Sequence, residues 1–236
     1  MKFAIIAAGE GSRLAQEGVQ LPKPLVTING EPMLERLIRI FADNGAEEVV
    51  IIVNQLHPQT ETFVRKMMAE KQNNIRLIVK STPSSMHSFY EISKYLEDVP
   101  FCLTTVDTIF REDEFADYIN QFKASEADGM MAVTDFIDDE KPLYVATNSQ
   151  LGITGFHDAD QGDKYISGGI YCLKPHTLST LRRCIDEGKS RMRNFQRTLI
   201  EDGWQLRAVP FSKILDVDHA SDIEKAERFL NEFNRL

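Results

Sequence analysis

Residues 2–14 are KFAIIAAGEGSRL, an apolar run that passes into a glycine-rich turn. Lys2 to Ala8 is a short, nearly continuous apolar run, the pattern of a strand in a parallel sheet covered on both faces. It passes without a break into Gly9-Glu10-Gly11-Ser12-Arg13-Leu14. Glycines at the carboxyl end of a first parallel strand let backbone N–H groups approach a ligand closely, and a polyphosphate is the usual guest. Two common phosphate loops are excluded. The dinucleotide fingerprint needs a third glycine where Leu14 stands, and a Walker loop needs Gly-Lys-Ser/Thr at its close.

Further along the chain, apolar runs alternate with helical patterns. Glu48 to Asn54, Ile75 to Lys80 and Pro100 to Asp107 are further short apolar runs. Between them lies helical spacing: Met33, Leu34, Leu37, Ile38 and Phe41 share one face before Asn44-Gly45, and Phe63, Val64 and Met67 repeat the pattern. The first half therefore reads βαβαβαβ, and right-handed crossovers make it a doubly wound α/β sheet. From Gly129 the character changes. Gly129 to Phe136, Leu143 to Ser149, Leu151 to His157 and Tyr165 to Lys174 read as strands joined by short polar turns, an antiparallel or mixed insertion. Helical patterns return over Pro175 to Gly188 and Arg191 to Gly203, followed by strands over Gln205 to Phe211 and Lys213 to Val217. A last helix is expected to bury Ile223, Ala226, Phe229, Leu230 and Phe233, with Ser221 or Asp218 as its cap. No internal repeat or flexible linker interrupts the chain, so one domain over 1–236 is expected. Its nucleotide-binding half covers about 1–128, its substrate lobe 129–212 and its closing strand and helix 213–236.

The 236 residues carry 36 acidic and 27 basic side chains, a formal net charge of −9. With 42% hydrophobic residues, the composition is that of a globular protein and excludes a disordered or fibrous chain. No apolar run approaches the ~18 residues of a membrane span, and the opening residues lack a cleavage-site pattern. There is no basic tract, which argues against nucleic acid or an anionic membrane as partner. Cys102, Cys172 and Cys184 are few, odd in number and set in apolar surroundings. Reduced thiols in a cytoplasmic protein are the expectation.

Ten residues after Arg13 comes Pro22-Lys23-Pro24-Leu25. Prolines on both sides of Lys23 fix φ locally and disfavour helix, presenting the ammonium on a stiff extended segment. A fixed Lys and Arg beside a glycine-lined turn make a cationic wall for a triphosphate; the competing reading leaves them as solvated charges around a long loop. Val106-Asp107-Thr108 ends the fourth strand, and Asp216-Val217-Asp218 ends the last one. Acids at the carboxyl edge of a parallel sheet face the ligand crevice. Two of them beside a triphosphate would repel unless a divalent cation sat between. Otherwise Asp107 caps a turn and Asp218 caps the last helix. His57, His87, His157, His176 and His219 are scattered, as surface or turn residues would be, and no Ser-His-Asp arrangement or nucleophilic cysteine stands out.

Gly9-x-Gly11-Ser12-Arg13-Leu14, followed by Leu21-Pro22-Lys23-Pro24-Leu25 and Asn29-Gly30-Glu31-Pro32-Met33-Leu34, resembles the signature of the sugar-1-phosphate nucleotidyltransferases, in a small stand-alone form. The resemblance implies a Rossmann-like doubly wound mixed sheet with an inserted antiparallel sugar-binding lobe. It implies an Mg2+-dependent reaction in which an NTP and a sugar 1-phosphate give an NDP-sugar and pyrophosphate. Arg13 and Lys23 would then be catalytic, Ala8, Gly9, Gly11, Ser12, Pro83 and Ser84 would contact the nucleotide, and Asp107 and Asp216 would hold the Mg2+. Tyr165 to Tyr171 matches the glycine-containing sugar strand, which assigns Gly168 and Gly169 to the acceptor and Lys164 to its phosphate. Glu140-Lys141-Pro142 is read as a turn. The family's Gln-Pro-x-Gly segment is replaced here by Lys80 to Tyr90, which leaves the base open. A cytidylyltransferase acting on a phosphorylated alcohol such as phosphocholine is one alternative, and a non-catalytic sugar-nucleotide-binding subunit is another. A retaining glycosyltransferase is disfavoured by Lys23. The length is expected to leave no room for a second enzyme, and the oligomeric state is not encoded in any motif.

Overall fold

A computed structural model describes residues 1–70, 74–138 and 140–233; the side chain of Phe233, expected on the buried face of the last helix, lies outside the described residues. The chain begins with β1 (Lys2–Ala7), the glycine loop and a short helix, α1 (Ser12–Gln16). A 3-10 turn over Lys23–Leu25 and a ribbon of β2 (Thr27–Ile28) with β3 (Glu31–Pro32) lead into α2 (Met33–Asp43). Then come β4 (Val49–Val53), α3 (Pro58–Glu70), β5 (Ile75–Val79), α4 (Ser85–Ser93), β6 (Phe101–Thr105), β7 (Thr108–Ile109) and α5 (Glu112–Lys123). The second half runs β8 (Gly129–Thr134), β9 (Tyr144–Thr147), β10 (Ile153–His157), β11 (Tyr165–Leu173), α6 (Leu178–Asp186), α7 (Met192–Glu201), β12 (Leu206–Phe211), β13 (Leu215–Asp216) and α8 (Ala220–Phe233).

Among the described residues the main sheet has nine strands, with β10-β9-β11-β6-β1-β4-β5 along its length and β8 and β12 branching from β11. β1, β4, β5 and β6 are parallel, whereas β11 runs antiparallel to β6, β8 and β9. The chain moves outward from β1 through β4 to β5 and then returns to β6 on the other side. Strand order therefore reverses at β1, and a crevice opens there beyond the carboxyl ends of β1 and β6.

β4 is apolar throughout, and β1 and β6 are largely so, because helices cover both faces of the sheet; β5 at the edge carries the exposed Arg76. Phe3, Ile5, Val49 and Ile51 face one layer with Leu37, Phe41, Val64 and Phe115 of α2, α3 and α5. Ala4, Ile6, Val50 and Ile52 face the other, with Phe89 of α4, Leu181 of α6 and Phe195 of α7. This is the period-two alternation of a sheet buried on both sides. A third cluster, including Leu14, Ile28, Ile109, Val217, Ala226 and Phe229, cements α1, the β2–β3 ribbon, β7 and α8 around the crevice.

Two expectations are corrected. The stretch after Gly9 is not loop throughout: Ser12–Gln16 is helical and is pinned by Leu14, 1% exposed. Neither Ser221 nor the Asp218 carboxylate caps α8. The Asp222 carboxylate accepts the backbone N–H groups of Asp218 (3.1 Å) and His219 (2.8 Å), and Glu17 accepts that of Ala220 (2.6 Å). The Asp218 side chain is thereby released for another use. Cys102, Cys172 and Cys184 are buried free thiols, and no described helix is long and apolar enough to cross a membrane.

Candidate active site

The crevice is a cleft of about 420 Å³. The glycine loop forms one wall, the segment from Ser81 to Ser85 the other, and Lys23, Asp107 and Asp218 the far end. Gly11 enters α1 with φ of 62°, in the left-handed region, and a Cβ built on it would lie 3.0 Å from the Lys23 Cβ. Only glycine lets the loop turn here with Lys23 packed against it. Ala8, Gly9, Gly11, Ser12, Pro83 and Ser84, all expected at the nucleotide, line this cleft together with Arg13 and Lys23. Ser84 also caps α4, accepting the His87 N–H at 3.4 Å.

Lys23 is the centre of the charge arrangement. Its Nζ lies 2.5 Å from Asp107 Oδ2 and 2.7 Å from Asp218 Oδ1, and Arg13 Nη1 reaches Asp218 Oδ2 at 3.1 Å. Burial works against the ammonium, but Asp107 and then Asp218 outweigh it and hold Lys23 well above the ordinary lysine range. Burial likewise works against the Asp107 carboxylate, and Lys23 outweighs it, keeping Asp107 below the usual carboxylate range. Both groups are therefore charged at neutral pH.

Backbone pairing explains why these acids meet. β13 pairs antiparallel with β7 so that Asp216 opposes Thr108, and the Val217 N–H donates to the Asp107 carbonyl at 3.1 Å. The strand ends at Asp216, and the turn into α8 brings Asp218 round to Lys23. Asp216, the expected partner of Asp107, instead lines a neighbouring cleft of about 370 Å³, as does Gly168. The two clefts share Arg13 and Asp218.

Gly168 and Gly169 sit where β11 shifts register between its pairing partners. A Cβ on Gly168 would lie 2.2 Å from Ile214 Cδ1 and 3.1 Å from the Ala132 carbonyl, so close packing demands glycine. Gly169 has φ of 72° and lines neither cleft. Nor does Lys164, whose ammonium lies over the Tyr165 ring at 4.9 Å. Three cations besides Arg13 line the second cleft: Lys141, in the segment read as a turn, Arg193 of α7, and Lys225 of α8, which pairs with Asp138 and Asp222. Arg193 donates to the Lys141 carbonyl at 3.0 Å and pairs with Asp158 at 2.5 Å, tying the two segments together. Neither was singled out from the sequence: Lys141 stands in Glu140-Lys141-Pro142, read as a turn, and only the fold brings Arg193 of α7 beside it.

Among the described residues no group of three metal-ligating side chains converges. Mg2+ needs only one or two carboxylates beside phosphate and water oxygens. The Asp107 Oδ1 atom is buried and has no hydrogen-bond partner in the protein. An acceptor left unpaired beside a second carboxylate suits a hard cation, so Asp107 and Asp218 fit such an ion.

Residues 3–202 match the MobA-like NTP transferase domain. The chain is 29% identical over 188 residues to a mannose-1-phosphate guanyltransferase of Schizosaccharomyces pombe, covering 77% of this chain and 52% of that protein. It is 37% identical over 207 residues to a glucose-1-phosphate cytidylyltransferase of Salmonella typhi, covering 77% of this chain and 78% of that one. The chain spans about half the length of the first curated relatives it matches. In fold it is similar to the inositol-1-phosphate CTP transferase from T. maritima, with a TM-score of 0.81, 17% identity and 98% and 96% of the two chains covered. With a matching domain that spans most of its length and carries the glycine loop, Lys23 and Asp107, the chain belongs to the MobA-like NTP transferase family.

Proposed function

We propose that this protein is a nucleotidyltransferase that joins an NTP to a phosphorylated acceptor, a sugar 1-phosphate in the favoured case, with release of pyrophosphate. The observation that carries the reading is Lys23, held between Asp107 and Asp218 at the mouth of a glycine loop. The first cleft takes the nucleotide, with its phosphates along Gly9 to Arg13 and its base toward Pro83 and Ser84. The adjoining cleft takes the acceptor, its phosphate facing Lys141 and Arg193 in preference to the outlying Lys164.

An acceptor phosphate is already anionic at neutral pH, so it attacks the α-phosphorus without a general base. A bond forms from the acceptor oxygen to that phosphorus, and the bond to the bridging oxygen of the pyrophosphate breaks. The protein's work is to align two anions that repel and to neutralise the charge that grows on the leaving group. Lys23 and Arg13 carry positive charge to that position. Asp107 and Asp218 would hold Mg2+, which supplies further neutralisation of the phosphates when bound. Asp218 takes the place first given to Asp216, because it is the carboxylate turned toward Lys23.

A binding-only subunit could lose any one of Arg13, Lys23, Asp107 and Asp218, yet all four are present and in register. The test is a panel of the four NTPs against sugar 1-phosphates and phosphocholine, read by pyrophosphate release in Mg2+. Release with one pair identifies base and acceptor, and silence across the panel would return the chain to the binding-subunit reading.

A further inference from the structure

Asn54, the first residue beyond β4, is 3% exposed and forms three side-chain hydrogen bonds. Its Nδ2 donates to the Ala8 carbonyl at 3.0 Å. Its Oδ1 accepts from the Leu56 N–H at 2.9 Å and from the Ser81 hydroxyl at 2.6 Å. These partners lie on three different segments at the rim of the nucleotide cleft. Ala8 opens the glycine loop, Leu56 stands on the turn after β4, and Ser81 begins the wall that leads to Pro83 and Ser84.

The sheet itself does not need these bonds. The ladders between β1, β4 and β5 are complete through Ala7, Val53 and Val79, and the Lys80 N–H closes the last rung on the Val53 carbonyl at 2.9 Å. Past that rung the ladder pairs end, and the Asn54 side chain bonds to the segments that follow β1 and β5. The residue type is specific. Asparagine offers a donor and a two-fold acceptor on one short arm. Aspartate would set a negative oxygen against the Ala8 carbonyl, and serine would be too short to span all three.

We infer that Asn54 is a positioning residue that couples the phosphate-binding glycine loop to the base-facing wall, and so sets both nucleotide affinity and base discrimination. The inference rests on the nucleotide occupying this cleft, as proposed above. Asn54 itself lines this cleft, and the role inferred for it runs through its bonds to Ala8, Leu56 and Ser81.

The experiment measures KM and kcat by pyrophosphate release, together with thermal midpoints, for the wild type, Asn54→Ala, Asn54→Asp and Ser81→Ala. Asn54→Ala is expected to raise KM for the preferred NTP about tenfold, the scale of losing a buried hydrogen bond, with KM for the acceptor unchanged. It should also lower the ratio of kcat/KM between the preferred and the other NTPs. Asn54→Asp keeps the bonds to Leu56 and Ser81, and is expected to lose NTP affinity while retaining discrimination. Ser81→Ala is expected to do the reverse, and it supplies the test should either Asn54 variant fail to fold. Equal changes in both KM values, or a Ser81→Ala variant with wild-type discrimination, would overturn the inference while leaving the transferase reading intact. A wild type that releases no pyrophosphate from any pair would remove the reading, and the inference with it.

Discussion

Lys23 is the residue on which the charges of the site converge, and the two acids that hold it are not equivalent. Asp107 is fixed by the end of β6 and its fate was legible from the sequence, because an acid at the carboxyl edge of a parallel strand faces the crevice. Asp218 was harder to read. Asp216 and Asp218 stand two residues apart, so in an extended strand they would share a face. Which of them reaches Lys23 depends on where β13 stops, a matter of long-range pairing with β7. Asp218→Ala is expected to lower turnover roughly a hundredfold or more, while Asp216→Ala, in the acceptor cleft, is expected to act mainly on KM for the acceptor; steady-state pyrophosphate release at varied acceptor concentration separates the two. A second residue-scale prediction concerns Tyr171, which is buried and accepts a hydrogen bond from Gln196 at 3.0 Å. Burial pushes its hydroxyl from 10 up to about 12. The folded chain thus holds this proton more tightly than the unfolded chain does. The stabilisation is complete below pH 10 and is lost as pH rises toward 12, amounting to about 2–3 kcal/mol in all. Denaturant midpoints across that window should fall less steeply in Tyr171→Phe than in the wild type.

At the scale of elements, the long strands and helices follow from pattern because burial on both faces leaves a continuous apolar signature. β1, β4, β5 and β6 lie within the runs that announce them. The short elements do not follow, and they are the ones that build the site. α1 has five residues, too few to be stable alone, and exists because Leu14 is buried under α8 and β2. β7 and β13 have two residues each and exist only as each other's partner. The start of α8 shows the same dependence. The N–H groups of Asp218 and His219, just before the helix, are met by Asp222 from within it, and that of Ala220 by Glu17 from the end of α1, which frees the Asp218 side chain. Asp222→Ala is expected to cost about 1 kcal/mol of stability. Because the turn then loses its anchor, the affinity for Mg2+ should fall in parallel. Calorimetric titration of Mg2+ in the presence of nucleotide, alongside a thermal melt, measures both; a loss of stability with unchanged Mg2+ affinity would show that the cap does not position Asp218.

For the whole molecule, the acidic excess has two parts. Many carboxylates belong to surface pairs such as Arg65 with Glu61 and Arg182 with Glu97, which add solubility and little stability. A few are gathered by the topology at the mouth of the sheet, where Lys23 and Arg13 offset Asp107 and Asp218. A chain with a net charge of −9 can thus receive a triphosphate and a second phosphate in adjoining clefts. Transfer of a nucleotidyl group from one cleft to the other is the step these charges would serve. It is tested most directly by an NTP labelled at its α-phosphate, mixed with the acceptor and Mg2+, with the label followed in the wild type, Lys23→Ala and Asp107→Ala. The wild type should place the label in a nucleoside diphospho-acceptor, one for each pyrophosphate released, while both variants remain folded and form none. Pyrophosphate released without labelled acceptor, or near-normal transfer by either variant, would contradict the account.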